Sequence, residues 1–148
     1  MDAEKFTKKS LEVIESCEKL AYEYNNQELT QAHLMYALVM VEDSLIAKLL
    51  TNMGINMDAF TGECEKLVAN RPKVSGGQLF TSPEFSKALI QAEKEAKQMG
   101  DDYISVEHIF LGLLEKADKD IKRVINAYGI TRGKFLEVLA NIRGNRKV

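Results

Sequence analysis

The residues that could do chemistry in this 148-residue chain are few: His33 and His108, Cys17 and Cys64, and the acids Asp101 and Glu107. A zinc site needs four clustered ligands, and the sequence offers no His-x3-His or Cys-x2-Cys pair to start one. Gly129-Ile130-Thr131-Arg132-Gly133-Lys134-Phe135 suggests a phosphate loop. It has three residues between its glycines where four are needed, Phe135 in place of the magnesium-binding hydroxyl, and no strand before it. It reads as a helix stop followed by a helix start. Asp101 and Glu107 could form a general acid/base pair if burial drove their pKa values apart, but nothing supplies a pocket or a third catalytic group. Glu107 falls at the second position of a helix, where the dipole favours negative charge, so capping and ligand binding both remain open. No catalytic, metal or cofactor-binding residue is assigned.

The elements that must position these residues are helices. Apolar residues keep a 3.6-residue period on both sides of one Pro/Gly-rich stretch, Asn70 to Gln78, and no alternating strand pattern stands out. A first helix is predicted from about Ala3 to Tyr24, with Phe6, Ser10, Val13, Ile14, Cys17, Ala21 and Tyr24 on one face. Thr30, Asp43 and Asn56 are predicted to cap the next three, and Gly54 to end the third. Both cysteines sit on apolar stripes and read as buried, reduced thiols.

Sliding the chain by 75 residues aligns it with itself without a gap from about Lys9 to Val68. His33 then meets His108, Leu38 meets Leu113, Asp43 meets Asp118, Gly54 meets Gly129 and Phe60 meets Phe135. Thr30 meets Ser105, both N-cap types. The matches fall on caps, terminators and core stripes, as a tandem duplication requires. The predicted fold is all-α: two tandem four-helix repeats, residues 1–69 and 82–143, joined by a linker at 70–81 and packed with pseudo-twofold symmetry. The equivalent histidines are expected to serve structure, through bonds to a neighbouring turn.

Net charge is −2 with both signs interspersed, which lacks the basic stripe of a nucleic-acid binder. Arg143, Arg146 and Lys147 read as a solvated tail. No apolar run reaches 18 residues, and the charged N-terminus does not read as a signal peptide, so a cytoplasmic protein with no membrane partner is expected.

On Thr30-Gln31-Ala32-His33-Leu34, Ser105-Val106-Glu107-His108-Ile109, Leu50-x2-Met53-Gly54-Ile55 and Val124-x3-Tyr128-Gly129-Ile130, with Phe6-Thr7 opening helix one, the chain resembles the N-terminal repeat domain of the Clp family of AAA+ unfoldases. The linker Arg71-Pro72-Lys73-Val74-Ser75-Gly76-Gly77 and the ending Ile142-Arg143-Gly144-Asn145 are closer to the ClpB pattern than to ClpC. The resemblance implies a docking domain, probing unfolded or aggregated proteins or adaptors, monomeric alone and carried by a hexameric ring. ATP and magnesium would belong to ATPase modules outside this sequence, with 144–148 starting the linker to them. It implies binding through Thr7, Leu89, Asp101 and Glu107, and a weakened or shifted apolar patch because Gln91 and Glu95 stand where some members carry leucine. The ClpC members bind phosphoarginine through paired glutamates; one such site could survive at Glu107, while Ala32 replaces the other. A structural cap on the ring is the competing reading. Glu107 faces Ala32 and Asp101 faces Asn26 in the repeat alignment, so the expected site is one-sided, on the second repeat, with Thr7 reaching it from helix one.

Overall fold

A computed structural model describes residues 2–144. The expectations placed on Met1 and on 145–148, Arg146 and Lys147 among them, lie outside the described residues. Helices α1 (Lys8–Glu23), α2 (Gln31–Met40), α3 (Leu45–Asn52) and α4 (Met57–Ala69) form the first repeat. Helices α5 (Pro83–Gln98), α6 (Val106–Glu115), α7 (Lys119–Ala127) and α8 (Arg132–Arg143) form the second. The predicted all-α, doubled architecture is what the chain adopts.

The two central helices are legible from composition. Helix α2 is apolar on all sides, and every residue from Gln31 to Val39 is buried. Helix α6 is buried from Val106 to Leu113 in the same way. Helices with polar faces, such as α1 and α5, wrap around them. Helices α5 and α6 make an unusually close approach: a Cβ placed on Gly112 would stand 2.3 Å from the Ala88 carbonyl oxygen. Small residues make that approach possible, with Ala88, Ala92 and Ala96 all buried on the facing side of α5.

Three local expectations are corrected. Helix α1 begins at Lys8, because Phe6 and Thr7 are extended and only a 3₁₀ turn, Ala3–Lys5, precedes them. Thr7 is the N-cap, its Oγ1 accepting from the Ser10 N–H at 3.2 Å. Ser44, not Asp43, caps α3. Its hydroxyl accepts from the Ala47 N–H at 3.0 Å and donates to the Leu38 carbonyl at 2.6 Å. An ionised carboxylate could not donate, and Asp43 instead takes the corner at φ 54°. Arg143 is not part of a solvated tail; its side chain is buried against Asp101.

Short strand pairings, absent from the sequence reading, lock the repeats together. Strand β1 (Glu28–Leu29) pairs in parallel with β2 (Phe80–Thr81), which lies inside the segment read as linker. Phe6 pairs with Ile104 in the same sense. The Ser82 N–H donates to the Leu29 carbonyl at 2.9 Å, and its equivalent 75 residues earlier, the Thr7 N–H, donates to the Ile104 carbonyl at 3.0 Å. Each repeat therefore supplies the strand that completes the entry to the other repeat's central helix. Gln31 adds a polar bolt across the same interface. Its side-chain amide donates to the Glu84 and Lys116 carbonyls at 2.9 and 2.8 Å, and its oxygen accepts from the Asp118 N–H at 2.8 Å. Phe60 meets Tyr128 edge to face at 5.2 Å between repeats, worth about 1 kcal/mol beyond burial.

Candidate functional site

The site expected around Asp101 and Glu107 lies where the chain leaves α5, turns, and enters α6. Ser105 is the N-cap of α6 and His108 its third residue. The Ser105 N–H donates to His108 Nδ1 at 2.9 Å, which fixes the neutral ring's proton on Nε2. That proton points at Asp101 Oδ2, 2.7 Å away. Asp101 Oδ1 pairs with Arg143 from the end of α8. The Ser105 hydroxyl donates to Glu107. Ser105, Asp101 and Glu107 are buried, and His108 wholly so.

Repeat one builds the same frame without the charges. The Thr30 N–H donates to His33 Nδ1 at 3.0 Å, and His33 Nε2 meets Asn26 Oδ1 at 2.9 Å. The sequence spacing Asn26-x6-His33 matches Asp101-x6-His108, so each histidine joins a cap to a turn residue seven positions before the ring. Burial, with help from the positive charge of Arg71, pulls His33 down to about 4. Both rings serve structure as expected, and both use both nitrogens.

Ser105, His108 and Asp101 sit in a row that superficially matches a serine-hydrolase triad, with Ser105 Oγ 3.1 Å from His108 Nδ1. The chemistry does not follow. A general base needs a free ring lone pair, and the Nδ1 pair already accepts the Ser105 backbone N–H. The hydroxyl proton goes to Glu107 instead. The same row recurs as Thr30–His33–Asn26, with no acid at all. What the row does is hold an N-terminal helix turn rigid.

Thr7 joins this neighbourhood through the Phe6–Ile104 pairing, which sets its backbone one residue from Ser105. Leu89 does not join it. It lies half-buried on α5, close to where that helix crosses Gly112, and roughly 13 Å along the helix axis from its Asp101 end. Exposed apolar side chains stand at each place: Ile90 beside Leu89, and Tyr103 in the turn beside Asp101. Glu95, between them on α5, is buried and held by Arg132 at 2.9 and 2.7 Å and by Gln91 at 3.0 Å. Burial alone would raise its carboxyl; the Arg132 and Gln91 hydrogen bonds outweigh that and hold it below the usual range. This closed pair occupies ground where leucines would make an apolar patch. Arg143, expected in solvent, and Gln31, quoted only as part of a motif, are the consequential residues whose contacts the sequence did not reveal. Only the Asn26/Asp101 mismatch in the repeat alignment hinted that one frame carried a charge needing a partner.

Among the described residues, no group of three or more His, Cys, Asp or Glu is placed to hold a metal ion, and no helix is long and apolar enough to cross a membrane.

Comparison with known proteins adds to this geometry. Residues 5–128 match the model of the Clp repeat (R) N-terminal domain family. The chain is 39% identical over 153 aligned residues to the chaperone protein ClpB of Clostridium tetani, covering all of this chain and 18% of that one. It is 38% identical over 154 residues to ClpB of Nitratidesulfovibrio vulgaris, with the same coverage. The fold is similar to the Hsp104 N-terminal domain from Candida albicans, with a TM-score of 0.84 and 21% identity over 97% of this chain and 94% of that one. The chain thus spans less than a fifth of the curated relatives it matches.

Proposed function

Because the chain belongs to the Clp repeat N-terminal domain family, we propose that it docks unfolded substrates or adaptors for an ATP-driven Clp chaperone ring of the ClpB type. The observation that carries this reading is the break in symmetry at the cap of the central helices. The fold repeats, but only the second repeat carries the acids, Asp101 in the turn before α6 and Glu107 in its first helical turn, with Thr7 beside them. A frame that closes without charge in repeat one has no folding need for two carboxylates in repeat two.

Leu89 and Ile90 supply an apolar contact separate from the acids. An extended segment of about four residues spans the roughly 13 Å between them, at 3.3 Å per residue. Capture would be weak, and six copies tethered to one ring would compensate by raising effective concentration. The chemistry of unfolding would belong to ATPase modules outside this sequence.

The test is an NMR titration of the 148-residue chain with a permanently unfolded, reduced and alkylated protein. Shifts gathered at Thr7, Leu89, Asp101 and Glu107 are expected. Shifts scattered over α3, α4 and α7 would overturn the assignment.

A further inference from the structure

The Asp101–Arg143 pair has no counterpart in repeat one, where the aligned residues are Asn26 and Val68. Both charges are out of water: the Asp101 side chain is wholly buried and that of Arg143 is 9% exposed. Burying two opposite charges is a poor route to stability, since apolar replacements of similar volume are often neutral or better. Repeat one shows that the fold closes around Asn26 and a fully buried Val68. The pair therefore calls for a reason other than the fold.

Its geometry suggests one. Asp101 is held from behind by His108, itself held by the Ser105 backbone, so the second carboxylate oxygen is pre-aimed. A guanidinium is the group that meets it. Arg143 is the last residue of α8, and Gly144 follows at φ 59°, ending the helix. Its Nη1 meets the Met99 thioether at 3.6 Å, a weak acceptor. The occupant thus comes from a terminal turn, where helices open most readily.

We infer that Arg143 is an autoinhibitory occupant: its guanidinium fills the Asp101 carboxylate that the arginine of a docked segment would take, and a docked arginine displaces it. This rests on the docking reading above and names its chemistry as arginine-bearing segments. The guanidinium meets Asp101 Oδ1 with one nitrogen and the Met99 thioether with the other, a planar pair of contacts that the compact point charge of an ammonium does not reproduce, so lysine competes poorly. Displacement also frees the last turn of α8 from the α5–α6 turn.

The experiment uses the 148-residue chain and two fluorescent, unfolded apolar peptides that differ only by one arginine against one lysine. Wild type is expected to bind the arginine peptide more tightly. If Arg143 holds the site nine-tenths of the time, Arg143→Gln tightens that peptide about tenfold, because the competent fraction rises from a tenth to nearly one. The lysine peptide should change less than about twofold, and Asp101→Asn should erase the arginine preference. Unchanged or weaker arginine-peptide binding by Arg143→Gln overturns the inference, and if wild type still binds both peptides the docking reading stands. If wild type binds neither peptide, both fall. Should a variant fail to fold, the Arg143 Nε–Hε resonance of wild type decides. Movement toward the free-arginine position as the arginine peptide saturates supports displacement, and an unmoved resonance overturns it.

Discussion

Replacing Gly112 by alanine tests whether the backbone contact of α5 and α6 sets the position of the acidic turn. Gly112 lies inside α6, where alanine is favoured over glycine by about 1 kcal/mol on propensity. Packing opposes it. The new Cβ would stand 2.3 Å from the Ala88 oxygen and 3.0 Å from the Ala92 nitrogen, where ordinary contact begins at 3.4 Å. Relief needs α5 to retreat by about 1 Å, and both obstacles are backbone, so no rotamer change can absorb it. Overpacking of this kind costs about 3 kcal/mol at the upper end of its usual range, leaving a net loss of about 2 kcal/mol. For a chain of this length that corresponds to about 4–8 °C in melting temperature. Gly62→Ala is the matched control. Gly62 lies within α4, and a Cβ there meets nothing within 4 Å. It should gain about 0.5–1 kcal/mol. The assay is thermal and urea unfolding of both variants beside wild type. If Gly112→Ala proves as stable as Gly62→Ala, the close approach is not what fixes the two helices.

Asp101→Asn should destabilise by about 3 kcal/mol in urea unfolding, because it leaves the buried Arg143 guanidinium facing a neutral amide. Adding Arg143→Val, which copies the Asn26/Val68 arrangement of repeat one, should recover most of that loss. His33 has its folded pKa lowered to about 4 from an ordinary 6.5, so the unfolded chain binds the proton more readily. Its contribution is complete above pH 6.5 and is lost as pH falls toward 4, up to about 3 kcal/mol. His33→Gln should flatten the stability profile in that window, measured by melts across pH. Gln31→Ala removes three hydrogen bonds between repeats and strands the Asp118 N–H and the Lys116 carbonyl, which should lower urea stability by about 2–4 kcal/mol. A loss under 0.5 kcal/mol would mean that water replaces the amide.

The doubled fold was legible in the chain because core stripes, caps and terminators obey local rules, and Gly54, Asn56 and Thr30 act where those rules put them. Asp43 and Ser44 are both good caps, and only the buried Leu38 carbonyl selects the residue that can also donate. The strand pairings are too short to leave an alternating pattern. The partners at the acidic turn were hidden for a different reason. Arg143 lies more than forty residues from Asp101 at the start of a polar ending, and nothing local distinguishes a solvated arginine from one folded back onto a carboxylate. Leu89 has the residue type for an apolar contact, but its distance from the acids depends on how far along α5 the crossing with α6 falls.

The exchange of strands between repeats has a consequence for how the chain is made. Phe6 emerges from the ribosome before its partner Ile104, which is synthesised roughly a hundred residues later. At ordinary elongation rates of about 5–20 residues per second, the entry to α1 waits many seconds for the strand it pairs with. The first repeat, complete by Ala69, likewise waits for Phe80 and Thr81 before β1 is paired. A nascent first repeat therefore shows the exposed apolar face and open strand that mark an unfolded protein, and it becomes a finished domain only when the second repeat arrives to close it.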